Sequence, residues 1–213
     1  MDQPAEADGR RLRREHNREL VLRALAELFA EGRYTPTSRQ IADRAGLSLR
    51  SLVRYFDDFD DLIRSTIERQ ERQALALVDV DCRPDESSAI KVRAVVEARV
   101  RLYETIAPAA RAGRVCAHRQ PLVAEELQRN RRFFHRQLAG IFAPELDRAG
   151  AGILPALDVV LSFESWDLMR GAQRLSRRAT TDALVAAAEA LLGTDVGRGR
   201  TPRASRGAVT AGR

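Results

Sequence analysis

Lysine is all but missing from this chain of 213 residues: Lys91 is the only one, and arginine supplies the rest of its 36 strong bases. That bias fits a GC-rich genome and carries no functional message. Cysteine is also scarce. Cys82 and Cys116 are too few for a disulfide framework, and neither has a CxxC or histidine neighbour at ligand spacing, so no metal site is expected. No apolar run approaches the length of a membrane span. The charged start from Asp2 to Arg14 does not read as a signal peptide, so a cytoplasmic setting is expected. GxSxG, P-loop, GxGxxG and HExxH patterns are all missing, and the 3 histidines lie far apart. An enzyme therefore has no support, and no cofactor is implied. Aromatic residues make up only 5%, and long β-branched alternation is absent. The excess of Ala, Leu, Arg and Glu favours helices, so an all-α fold is expected.

What the chain does contain is centred on residues 37–56, TSRQIADRAGLSLRSLVRYF. Thr37 and Gln40 have capping-box spacing, which predicts a helix over about 38–45 with Ile41, Ala42 and Ala45 on one face. Gly46 can adopt the left-handed backbone that ends a helix abruptly. Ser48 is a second N-cap, and a second helix is expected to run to about Phe56. Leu49, Leu52, Val53 and Phe56 fall at i, i+3, i+4 and i+7 and predict its buried stripe. This is helix-turn-helix spacing, with Ala42 small where the helices cross and Leu52 plugging their angle. The outward face would carry hydroxyls and arginines suited to phosphates and base edges in a major groove. Candidate DNA contacts are Thr37, Ser38, Arg39, Ser48, Arg50, Ser51, Arg54 and, at the margin, Tyr55. The plain alternative is a solvated αα-corner. The net charge of +6 favours a polyanionic partner without proving one.

The segment from about Arg14 to Ile67 resembles the DNA-binding domain of the tetracycline-repressor (TetR) family. The resemblance rests on LAELFAEGRYTPTS closing a first helix, then RQIADRAGLSLRSL, then RYF, then a new helix at DDLI. It covers about a quarter of the chain. It implies an N-terminal three-helix helix-turn-helix domain and a larger C-terminal helical domain for ligand binding and dimerisation. It also implies a fourth helix that joins the two and transmits motion. The chain departs from the family at two places. Many members have a lysine where Phe59 stands and a tyrosine where Val53 stands, both contacting DNA. The aspartates at 57, 58, 60 and 61 would moreover repel phosphate.

Taken in order, residues 1–13 are expected to be a disordered arm, basic at Arg10, Arg11 and Arg13 and continued by Arg14. Such an arm can enter a minor groove or remain a solvated tail. The DNA-binding domain spans 14–67, with a first helix over about 15–31 that Gly32 stops. The fourth helix continues to about Val78, capped by Asp57 or Asp58, with Phe59, Leu62, Ile63, Ile67, Leu75 and Val78 on its buried face. Residues 79–193 form the regulatory and dimerisation domain, opening with the linker DVDCRPDESS. Its helices are expected over about 88–106, 108–116, 121–142, 155–175 and 181–192. Pro108, Pro121 and Pro155 stand at first-turn positions, Ser88 is the cap of the opening helix, and Gly193 closes the last. Residues 194–213 carry five arginines and one aspartate without apolar periodicity and are expected to be a disordered tail.

A lone recognition helix makes few base contacts, and a two-fold homodimer doubles them over a palindromic site in double-stranded DNA. Leu157, Val160, Leu161, Leu168, Leu184, Val185, Ala188, Leu191 and Leu192 are the candidate dimer interface; an intrachain core is the alternative. In the family, the last two helices of each subunit pack as a four-helix bundle. Arg99, Tyr103, His118, Phe133, Phe134, Phe163 and Trp166 interleave polar and aromatic groups with apolar faces. They are candidate lining for the pocket of an unknown small-molecule effector. The resulting expectation is a TetR-like, ligand-responsive transcriptional repressor. The competing reading is a helical protein–protein adaptor with a degenerate helix-turn-helix.

Overall fold

The computed structural model describes residues 3–83, 85–150 and 152–193; the expected tail at 194–213 lies outside them. Every regular element among these residues is helical. The order is α1 (Gln3–Ala30), α2 (Ser38–Ala45), α3 (Leu49–Tyr55), α4 (Phe59–Leu75), α5 (Ser88–Cys116), α6 (Pro121–Ile141), α7 (Ala143–Ala149), α8 (Ile153–Val160), α9 (Phe163–Asp167) and α10 (Arg177–Leu192). A single π turn, Leu168–Ala172, follows α9.

Buried side chains fall into two clusters. Val21, Leu25, Leu28, Ile41, Ala42, Leu52 and Phe56 fill a head built from α1–α3. Val92, Val96, Leu102, Leu138, Phe142, Leu157 and Leu184 belong to a body built from α5–α10. Helix α4 serves both: Leu62 near its start packs in the head core, whereas Ala74 at its far end, with Leu77 and Val78 just beyond it, packs on the body.

The helix borders correct several expectations. Helix α1 starts at Gln3, not near Glu15, so the basic arm at 9–14 is helical. Its Arg, Glu, Ala and Leu content favours continuation, and Arg13 Nε donates to the Gly9 carbonyl at 3.1 Å. Helix α5 passes through Pro108 without breaking. Ala107 and Ala112 on either side of the ring are buried, and this packing outweighs the lost N–H. Its cap is Ser87, whose hydroxyl accepts from Ile90 N–H at 3.4 Å; Ser88 is its first residue. The helix expected over 155–175 is instead interrupted. Ser162 caps α9, accepting the Ser165 N–H at 3.2 Å. Leu161, left outside regular helix, gives its carbonyl to the buried Tyr103 hydroxyl at 2.8 Å. Helix α10 starts at Arg177, capped by Ser176. On α4, Leu75 is exposed near the helix end, so the expected buried face stops short of it.

Two polar nodes hold this framework. In the body, Lys91 is 1% exposed and reaches Glu145, 5% exposed, at 2.6 Å, and also donates to the Ile141 carbonyl at 3.3 Å. Ser88 Oγ donates to the same carboxylate at 2.8 Å. Burial alone would raise the Glu145 pKa, but the bonds from Lys91 and Ser88 hold it below its ordinary value. In the head, Arg18 donates to Asp61 at 2.9 and 3.0 Å, to Ser65 at 2.6 Å and to the Tyr55 carbonyl at 2.6 Å. Its guanidinium also lies 4.4 Å from the centroid of the Phe56 ring. One α1 side chain thereby fixes the end of α3 and the first turns of α4. The Arg18 hydrogen bond is the main reason the Asp61 pKa falls to about 2.

Lys91→Ala is expected to cost about 3–5 kcal/mol in urea unfolding, because it strands a buried carboxylate. The double change Lys91→Met with Glu145→Leu should cost far less, since no charge is then left alone. Asp61→Asn should cost the head about 1.5–3 kcal/mol at neutral pH. The folded-state pKa of Asp61 is depressed, so its contribution is present above the unfolded value near 3.9 and lost as pH falls through about 2. Unfolding titrations should show the gap between the native and Asp61→Asn proteins closing over that window.

Candidate functional site

The helix-turn-helix is built by its caps. Gln40 N–H donates to Thr37 Oγ1 at 3.3 Å, and Thr37 N–H donates to Gln40 Oε1 at 2.8 Å, a reciprocal capping box. Gly46 closes α2 at φ 68°, ψ 29°. The next N–H, from Leu47, returns to the Ala42 carbonyl at 2.9 Å. Ser48 then caps α3, accepting Ser51 N–H at 3.1 Å while the two hydroxyls lie 2.9 Å apart.

These turns bring Thr37, Ser38, Arg39, Ser48, Arg50 and Arg54 to the surface, with Ser51 half-buried beside them. Among the described residues, Arg39 and Arg50 have no ion partner. Tyr55 is the exception among the eight candidate contacts. It is 8% exposed and belongs to the head core. Its hydroxyl accepts from Asn17 Nδ2 at 2.8 Å and from Arg54 at 3.0 Å. Residues two apart on a helix lie about 200° apart, so burying Tyr55 turns Val53 outward. Val53 is 64% exposed and Leu49 also faces solvent; the buried stripe is Leu52, Tyr55 and Phe56. The ring at Tyr55 was visible in the sequence, and its greater apolar area was the available signal.

The acidic run is less repulsive than its sequence implies. Asp61 is held by Arg18, Asp57 lies 3.5 Å from Arg14, and Asp58 lies 3.7 Å from Arg64. Asp58 is also the cap of α4, accepting Asp61 N–H at 2.7 Å. Phe59, expected in the core, is 53% exposed and lines a cavity instead.

That cavity has a volume of about 970 Å³ and lies between the head, α4 and the body. Phe29, Tyr34 and Ile41 wall it from the head, Ile63 and Ile67 from α4, and Leu102 and Ile106 from α5. Arg99, Tyr103, His118, Phe133, Phe134 and Phe163 all stand along it. Of the seven candidate pocket residues, Trp166 alone is elsewhere: it is buried in the body core, 5.5 Å from Phe163 and 5.9 Å from Tyr103 between ring centroids. Burial pushes the Tyr103 hydroxyl pKa up to about 12, and that hydroxyl is already committed to Leu161. The wall is mainly apolar, and the Tyr103 hydroxyl is not free to meet a ligand. Near its head side, Cys116 Sγ lies 3.5 Å from the Tyr34 carbonyl, joining the end of α5 to the loop before α2.

The candidate dimer residues sit differently from expectation. Leu157, Leu161, Leu184, Val185, Ala188 and Leu192 are buried in this chain's own core, and Val160 and Leu191 pack half-buried against it. Leu168 alone is exposed. Periodicity marks an apolar face but does not say whether the same chain or a second one covers it. The outward side of α10 instead presents Ala186 and Ala190.

No family model and no curated protein matches the chain. Solved structures do. A transcriptional regulator from Rhodococcus sp. Rha1 superposes with a TM-score of 0.63 at 20% identity, over 83% of this chain and 96% of that one. A TetR-like transcriptional regulator from Rhodococcus sp. RHA1 gives 0.62 at 18% identity, over 84% and 97%. A candidate transcriptional regulator from Streptomyces coelicolor A3(2) gives 0.56 at 25% identity, over 81% and 98%. The correspondence runs over nearly the whole of those chains, head and body together. The protein has the fold of the TetR-like transcriptional regulators.

Proposed function

We propose that the protein is a cytoplasmic DNA-binding transcriptional regulator, a repressor that grips a palindromic operator as a homodimer and releases it when a small molecule fills the cavity. The observation that carries the DNA reading is the capped helix-turn-helix with Arg39, Arg50 and Arg54 on one exposed face. Arg39 and Arg50 are placed for phosphate, and Arg50 and Arg54 lie on the helix that would enter the major groove. Leu49 and Val53, one turn apart and outward, add apolar groups of the kind that contact thymine methyls. Neither Val53 nor Phe59 can hold a phosphate, so the grip rests on these arginines and the α1 extension. A second copy would pack on the outer face of α10 and the π turn before it, through Ala186, Ala190 and Leu168.

Release has a physical route. The cavity is walled by head and body at once, and α4 packs in both cores. A molecule seated there changes the packing of α4 and so the spacing of the two heads in a dimer. It shifts the equilibrium by its differential affinity for the two arrangements, and a ~100-fold loss of operator affinity requires about 2.7 kcal/mol.

Fluorescence anisotropy with a duplex from immediately upstream of the protein's own gene tests the reading. Binding in the ~10–100 nM range is expected, well above a scrambled duplex and falling with salt. Arg50→Glu with Arg54→Glu should cut affinity at least ~10-fold and lower the salt slope by about 1 for each phosphate no longer neutralised, and Arg50→Glu alone should do so in part with an unchanged thermal midpoint. Equal affinity for both duplexes, untouched by the reversals, would favour the protein–protein adaptor.

A further inference from the structure

Arg99 is the least satisfied charge in the body. It is 2% exposed, yet neither Nε nor Nη2 has a hydrogen-bond partner. The guanidinium is stacked on Phe134, 3.8 Å from the ring centroid, and both residues line the cavity. Burial pushes the Arg99 pKa down, with the field of Asp158 acting in the opposite sense. Asp158 itself lies 3.4 Å from His135 and forms no ion pair with Arg99.

The other acids of the wall are mostly taken. Glu164 accepts from Arg114 at 3.0 Å and from Arg131 at 3.1 Å. Glu126 is held by Arg129 and by Asn130. Glu71 is exposed on α4, where water solvates it. A buried cation without an anion is costly, and a ring face offsets only part of that cost. A guanidinium presents donors in a planar fork that matches a carboxylate. Phe134 lies against the guanidinium, and Phe163, Leu102, Ile106 and Val159 line the same cavity.

We infer that Arg99 anchors the acidic head of an amphiphilic carboxylic acid, whose apolar body lies along Phe134 and the aliphatic wall of the cavity. The inference deepens the effector reading of the same cavity by naming the ligand's chemistry: one carboxylate on a hydrocarbon or aromatic body. A neutral or cationic molecule of equal size would leave the Arg99 donors unmet and bind more weakly. The cavity volume lies within the range of small-molecule pockets.

The test uses the full chain without DNA. Octanoate, decanoate, dodecanoate and 2-naphthoate are titrated beside decan-1-ol and decylamine, by calorimetry and by the emission of Trp166, the chain's 1 tryptophan, which packs on the wall residues Tyr103 and Phe163. At least one carboxylate should bind saturably. The best of them should bind at least ~10-fold tighter than decan-1-ol, the scale of one charge-assisted bidentate contact. Arg99→Gln should remove that preference while leaving decan-1-ol affinity within about two-fold. Because the change deletes a stranded charge, the thermal midpoint of the empty protein should hold or rise. Equal binding of decanoate and decan-1-ol, carboxylate affinity unchanged in Arg99→Gln, or no binding by any of the four acids would overturn the inference. Adding decanoate to the anisotropy assay separates the two readings. Tight carboxylate binding that leaves DNA affinity unchanged defeats the effector role but not the Arg99 site, and failed DNA binding with intact carboxylate selectivity defeats the regulator alone.

Discussion

One guanidinium organises the head. Arg18 reaches from α1 to the last carbonyl of α3 and to Asp61 and Ser65 on α4, with Phe56 beneath it. It adds directional ties between α1, α3 and α4 to the apolar packing of Leu62 and Phe56. The charge-assisted bonds are directional in a way that the surrounding apolar contacts are not. They set where the outward arginines of α3 stand relative to the body. Arg69 on α4 pairs with Glu19 on α1 and repeats the tie one layer further on.

Head and body meet where α4 passes from one to the other, where α1 packs on α5, and around a cavity walled by both. The two apolar clusters are separate, and the space between them is walled by both. The proposed release requires this junction to adopt a second arrangement when the space is filled, since filling it changes contacts on both sides. Arg99 gives that space a chemical preference. The same burial that makes the charge expensive makes an anion valuable there, so the cavity is selective as well as hydrophobic.

The sequence carried the head well. The capping box at Thr37, the left-handed Gly46 and the second cap at Ser48 are local features, and each is made by residues within a few positions of one another. The all-helical class followed from composition. Facing was harder, because it depends on partners distant in sequence. The Tyr55 ring is buried in the head core, where Asn17, 38 positions away, meets its hydroxyl, and Val53 on the opposite side is exposed. Most of the expected dimer residues on α8 and α10 are buried within the chain because α10 packs on α5 and α8 packs on α6 and α10, pairings no periodicity reveals. The break at Leu161 and Ser162 was marked by a serine followed by an acid in the first turn, a signal weaker than the apolar pattern running through it. Six of the seven candidate pocket residues share one cavity wall, but the unpaired state of Arg99 follows only from packing in three dimensions.

The claim that matters most is that the exposed face of α3 reads a specific duplex sequence as a symmetric pair. Selection of bound duplexes from a random DNA library, with the purified chain as bait, addresses it without assuming any target. An enriched motif with two inverted halves spaced about one helical turn or a small multiple apart is the expected result, and Arg50→Glu should abolish the enrichment. A library that emerges unenriched, or one enriched equally by the native chain and by Arg50→Glu, would contradict the account.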